Sequence, residues 1–139
     1  MSPAHPTIFI VDDDASLRRA LGRVMTSAGL TCEAYASADE FLATADLAKP
    51  GCIVADMTLL GTSGLDLKIR LNAIHHDLPL IFLTANDSEE MRAAARDAGA
   101  AGLFRKPVDT QALLDAIDWA LHDTMDPPSG TRPNGGAAT

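Results

Sequence analysis

Thr7-Ile-Phe-Ile-Val-Asp-Asp-Asp14 runs through β-branched and apolar residues without a break and then turns acidic. A short apolar run that does not alternate is the pattern of a strand buried on both faces. The signature returns twice, in Gly51-Cys-Ile-Val-Ala-Asp56, which ends in an acid, and in Pro79-Leu-Ile-Phe-Leu83, which is followed by the hydroxyl of Thr84. Strands buried on both faces need a covering layer on each side. The expected architecture is therefore a parallel sheet with helices on both faces.

The intervening stretches supply those helices. Residues 14–28 place Leu17, Leu21, Val24 and Ala28 at helical spacing, with Gly29 as the stop. Leu30 to Tyr35 reads as a second strand. Ser37 opens a helix to about Asp46, with Glu40 completing a capping box. A helix is expected over 64–74, an Ala-rich one over 87–98 ended by Gly99, and a short fifth strand over Ala101–Arg105. Asp109 caps a last helix carrying Leu113, Ala116, Ile117 and Leu121. Five strand–helix pairs make an α/β, doubly wound, five-stranded parallel sheet with right-handed crossovers. Ligands in such folds sit at the carboxyl ends of the strands. The domain reading is an N-terminal tail over 1–6, one domain over 7–122, and a flexible Pro/Gly-rich C-terminal tail over 123–139.

Composition narrows the function classes. The 139 residues carry 19 acids against 11 bases, a net charge of −8, which disfavours non-specific binding to nucleic-acid phosphates. Cys32 and Cys52 lack metal-site spacing and read as buried free thiols. The start has no basic-then-apolar leader, and no apolar run reaches the length of a membrane span, so a cytoplasmic location is expected. His75-His76 reads as a surface pair, and Met25, Met57 and Met91 as packing residues. Trp119 lies off the stripe of the last helix and is expected to be partly exposed.

The strand ends carry the chemistry. Asp12, Asp13 and Asp14 follow the first strand, Asp56 the third, Thr84 the fourth, and Lys106-Pro107 the fifth. Carboxylates brought together repel, and a hard divalent cation such as Mg²⁺ relieves them. Lys106 offers a mobile positive charge, Thr84 a hydroxyl donor, and Pro107 a turn that aims the lysine. This set suits phosphoryl transfer, where positioning and charge neutralisation do most of the work, and an aspartate can be the covalent acceptor. Lys106 is expected to be an exposed ammonium whose removal costs little stability.

Ile10-Val-Asp-Asp-Asp14, Val54-Ala-Asp56, Leu83-Thr-Ala85 and Arg105-Lys-Pro107 together resemble the receiver domains of two-component response regulators, over roughly residues 7–122. The resemblance implies a flavodoxin-like fold with strand order 2-1-3-4-5. It implies that Asp56 accepts a phosphoryl group from a histidine kinase, a phosphotransfer protein or a small phosphodonor. Asp13, Asp56 and the main-chain carbonyl of Thr58 would bind Mg²⁺, with Asp12 acting through a water. Thr84 and Lys106 would contact phosphoryl oxygens, and Asp14 would cap a helix. Thr58 and Asn86 would flank the path of the water that removes the phosphoryl group. The implied protein is a switch with weak self-dephosphorylation rather than an enzyme. Its output runs through an unidentified protein partner or a phosphorylation-dependent dimer, with no direct contact to nucleic acid or membrane.

Two positions depart from the family pattern. Leu60 stands where receivers usually carry Pro, in a loop that ends at Gly64, and is expected to loosen that loop. Leu103 stands where a switching Tyr or Phe is usual, while Phe104 should face the opposite side of the sheet. The competing readings are a phosphohydrolase of the haloacid-dehalogenase type and a binding module that has lost phosphorylation.

Overall fold

A computed structural model describes residues 6–59, 61–74, 77–86 and 88–125. The elements alternate as β1 (Thr7–Val11), α1 (Ala15–Ser27), β2 (Thr31–Tyr35), α2 (Ala38–Thr44), β3 (Gly51–Asp56), α3 (Gly64–Ala73), β4 (Leu80–Thr84), α4 (Glu89–Asp97), β5 (Gly102–Arg105) and α5 (Thr110–Met125). The strands form one parallel sheet in the order β2-β1-β3-β4-β5, as the resemblance implied.

The unbroken apolar runs have a simple cause. Successive side chains of a strand point to opposite faces. Phe9, Ile53, Ala55, Leu80 and Phe82 pack with Phe41, Leu67, Leu71 and Ala95 beneath α2, α3 and α4. Ile8, Ile10, Val54, Ile81 and Leu83 pack with Leu21, Met25, Leu113 and Ile117 beneath α1 and α5. Every residue of β1, β3 and β4 is buried, so both registers of the alternation must be apolar. β2 and β5 are edge strands and only partly covered.

Edge position corrects one expectation. Cys52 in β3 is buried, but Cys32 in β2 is only half-covered. Both thiols are free, and burial pushes both up, that of Cys52 to about 12. Met25 packs in the core as expected, whereas Ala28, the C-cap of α1 and the last residue of the expected stripe, is exposed. Gly29 and Gly99 terminate α1 and α4 with φ of 82° and 87°, values that glycine adopts without strain.

Ser37 caps α2 by accepting the Glu40 N–H at 3.0 Å. The Glu40 carboxylate reaches one residue further back than a capping box requires, to the Ala36 N–H at 2.8 Å. α5 runs to Met125, three residues past the expected boundary at 122. The sequence places no helix breaker between Asp109 and Pro127, so nothing in it interrupts the helix at 122. His75, His76, Leu60 and the tails over 1–5 and 126–139 lie outside the described residues.

Candidate functional site

The carboxyl ends of β1, β3, β4 and β5 meet at one edge of the sheet because parallel pairing puts them side by side. Val11 registers with Ala55, Asp56 with Leu83, and Thr84 with Arg105. Asp12 and Asp56 emerge there almost fully buried, at 1% and 6% exposure, while Asp13 is exposed. One carboxylate oxygen from each of Asp12, Asp13 and Asp56 lies within 4.8 Å of the others.

Local bonds fix each group. Asp12 accepts the Asp14 N–H at 2.8 Å through Oδ1, and its main-chain oxygen accepts a bond from Arg18 Nη1 at 2.7 Å. Asp14 caps α1, accepting the Ser16 and Leu17 N–H groups, as expected. Asp56 accepts the Thr58 N–H at 2.9 Å through Oδ1 and the Lys106 ammonium at 2.8 Å through Oδ2. Lys106 follows β5 and precedes a cis bond to Pro107, and its own N–H donates to the Thr84 carbonyl at 2.8 Å.

Lys106 corrects an expectation. Its side chain is 23% exposed, and it bridges Asp12 and Asp56 rather than standing free in solvent. Burial works against its charge, but its hydrogen bond to Asp56 and the Asp12 carboxylate beside it hold the ammonium above its usual range. For Asp12, burial dominates and raises the carboxyl above the usual carboxylate range against the pull of the Asp14 N–H and of Lys106. Asp12 Oδ2 lies 3.1 Å from Lys106 Nζ without the alignment of a hydrogen bond and has no other donor. A buried carboxylate oxygen without a donor, among acids that one ammonium cannot balance, fits a hard oxygen-seeking cation.

The sign of the Asp12 shift gives a prediction. A carboxyl raised in the folded state binds its proton more tightly there than when unfolded. Its stabilising contribution is therefore complete below the ordinary value of 3.8 and fades as pH rises through the folded value. At neutral pH the ionised group costs stability. Without divalent cations, Asp12→Asn should melt higher than wild type by several degrees, on the order of 1 kcal/mol, and the gap should close on acidification. Calorimetric melting from neutral to acid pH checks both parts.

Other residues fall less simply. Thr84 is fully buried, and its hydroxyl donates to the Asn86 carbonyl at 3.1 Å and accepts the Asn86 N–H at 3.0 Å. It is thus engaged with the β4–α4 loop and not with Asp56. Thr58 and Asn86 are exposed at the rim. Leu103 packs against the core beneath α4 and Phe104 against the opposite core, as alternation required. Trp119 is 40% exposed, and Met25 and Met57 are buried.

Two features escaped the sequence reading. A Cβ on Gly64 would collide with the main-chain oxygen of Asp56, so α3 can begin this close to the acid only with glycine there. Thr62 Oγ1 donates to Asp39 Oδ1 at 2.8 Å, tying the β3–α3 loop to α2. The first could be suspected from a glycine at a helix start. The second needs the fold, since it joins distant segments.

The response regulator receiver domain model matches residues 8–118. TdiR of Thauera aromatica, a transcriptional regulatory protein, is 38% identical over 83% of this chain and 51% of its own length. The response regulator protein TodT of Pseudomonas putida is 35% identical over 87% of this chain and 53% of its own. The chain thus spans about half the length of the curated relatives it matches. Among solved structures, the response regulator StyR superposes with a TM-score of 0.82 at 40% identity, covering 88% of this chain and 62% of that one. FixJ-N does so with 0.78 at 30% identity, covering 88% and 96%.

Proposed function

The chain belongs to the response regulator receiver domain family, and from that premise we propose that Asp56 is its phosphoacceptor. The observation that carries the reading is the Asp56 carboxylate at the end of β3, with Lys106 on one oxygen at 2.8 Å and Asp12 and Asp13 gathered beside it. The phosphodonor is a histidine kinase or a phosphotransfer protein. The setting is the cytoplasm; among the described residues no helix is long and apolar enough to cross a membrane.

An Asp56 oxygen attacks the donor phosphorus, and the bond from phosphorus to the donor atom breaks with its electron pair leaving on the donor. Asp12, Asp13, Asp56 and the Thr58 main-chain carbonyl would hold Mg²⁺, which neutralises phosphoryl oxygens when bound. Lys106 already points at Asp56 and needs only a small displacement to reach a phosphoryl oxygen. Thr84 must leave Asn86 to do the same, and this release is the switch lever. Output goes to a protein partner, a second phosphorylated copy included, and the net charge of −8 accords with no direct nucleic-acid contact. The family match runs from Ile8 in β1 through all the later strands, which favours this reading over a phosphohydrolase.

Beryllofluoride with Mg²⁺, an acyl-phosphate mimic, tests the reading by amide NMR. The largest shifts are expected over residues 84–92, where Thr84 is released and α4 begins. Changes at Leu103 should be modest, since that side chain is already packed and carries no ring to swing. No response at all sinks the reading. Shifts centred on Leu103 and α5 with residues 84–92 still would leave phosphorylation standing and overturn the route.

Persistence gives a second prediction. Thr58 and Asn86 are exposed polar groups beside the approach of water. Thr58→Ala and Asn86→Ala should each alter the decay of the phosphorylated form by up to about tenfold, the scale of one hydrogen bond. Unchanged decay in both, followed by loss of label, removes those side chains from control of water.

A further inference from the structure

The chain is acidic overall, yet α1 carries three of its eleven basic residues and no acid. Arg18, Arg19 and Arg23 line an open groove of about 650 Å³ between α1 and the edge strand β2, floored by Gly22, Cys32 and Ala34. A smaller hollow of about 330 Å³ adjoins it, reaching from Arg23 to Leu114 of α5. Arg18 is anchored to the Asp12 carbonyl. Arg19 and Arg23 are exposed, and among the described residues neither has an ion-pair partner.

Two features of this helix work against its own stability. Arg19 and Arg23 stand one turn apart, where like charges destabilise a helix. Gly22 sits in the helix interior, where glycine is less favourable than alanine. Nothing inside the molecule requires it: a Cβ there would meet no atom within 4 Å. A glycine without an internal neighbour, between unpaired arginines, leaves room for something outside to approach the helix backbone closely. Its charge must be negative.

We infer that the α1–β2 groove docks an acidic segment of a partner protein, its carboxylates on Arg19 and Arg23 and its backbone close against Gly22. A nucleic acid fits less well. It brings one charge per roughly 1.7 Å, and most of it would face the remaining acidic surface of this chain. A short acidic segment can neutralise the arginines and end there. The inference is independent of Asp56 chemistry, and its test needs no phosphorylation.

The probe is a helical peptide of about four turns carrying Glu at every fourth position, with a Gln version as control. In amide NMR of the full chain at low salt, the Glu peptide should shift residues 18–27 and 32–34, and the Gln peptide should not. Raising salt should weaken the binding. Arg19→Glu/Arg23→Glu should weaken it by at least about tenfold while leaving the fold intact, since both side chains are exposed. Gly22→Ala should raise the melting temperature yet weaken the peptide several-fold, a split that a purely structural glycine would not produce. Shifts centred elsewhere, equal binding by the Gln peptide, or Gly22→Ala binding as tightly as wild type would each overturn the inference. So would a short DNA duplex that occupies the same amides more tightly than the peptide.

Discussion

Asp56→Asn is expected to take up no phosphoryl group from acetyl phosphate and Mg²⁺ under conditions where the wild-type chain takes up one. The amide keeps the shape of the carboxylate, and its oxygen can still accept the Thr58 N–H that holds Oδ1 at 2.9 Å. What it loses is the anionic oxygen that must form the bond to phosphorus. It also removes one of the carboxylates that draw a cation to the site. Folding should survive, because Lys106 retains Asp12 and the acid cluster loses one repulsive member. Intact-mass measurement reads the uptake directly, and a melting curve shows that the variant is folded. Equal uptake by Asp56→Asn would move the acceptor to another acid, with Asp13, the exposed one, first in line.

Most of the sheet could be read from the chain because burial on both faces leaves no ambiguity in composition. Thr7–Val11 and Gly51–Asp56 fall where their apolar runs fall. The fourth strand lies one residue later than expected, Leu80–Thr84, since Thr84 continues the ladder although its side chain is polar. The edge strands lose a residue at their starts, where partial cover weakens the apolar signal. The acids, the threonine and the lysine were legible as strand-end residues, because a parallel sheet brings all such ends to one edge. Their environments were not. A lysine's burial depends on what faces it from other strands, and no local pattern encodes that. The same holds for the Thr84 hydroxyl, which a loop residue captures, and for the Thr62–Asp39 bond. Gly64 is the intermediate case: its type hints at close approach, but the Asp56 carbonyl it must clear is visible only in three dimensions.

Lys106→Ala is expected to fail in two separable ways. Without divalent cations the variant leaves Asp12 and Asp56 facing each other across a site where both are nearly buried. Breaking a buried ion pair by removing one partner costs about 3–5 kcal/mol, and the partial exposure of Lys106, 23%, reduces that to roughly 2 kcal/mol. The denaturation midpoint should fall accordingly. Adding Mg²⁺ should recover part of the loss, because a cation held by the same oxygens replaces the missing charge. Asp12→Asn in the Lys106→Ala background should also recover part of it, a coupling that independent residues would not show. The functional failure should persist through both rescues. With the ammonium gone, a phosphoryl group on Asp56 lacks its counter-charge, and the beryllofluoride response over residues 84–92 should shrink even where stability has been restored. Lys106→Arg is the sharper control. It keeps the charge but replaces a compact ammonium with a planar fork, and so should recover stability better than response. Unchanged stability together with a normal response in Lys106→Ala would return this lysine to the exposed surface position that the sequence alone suggested.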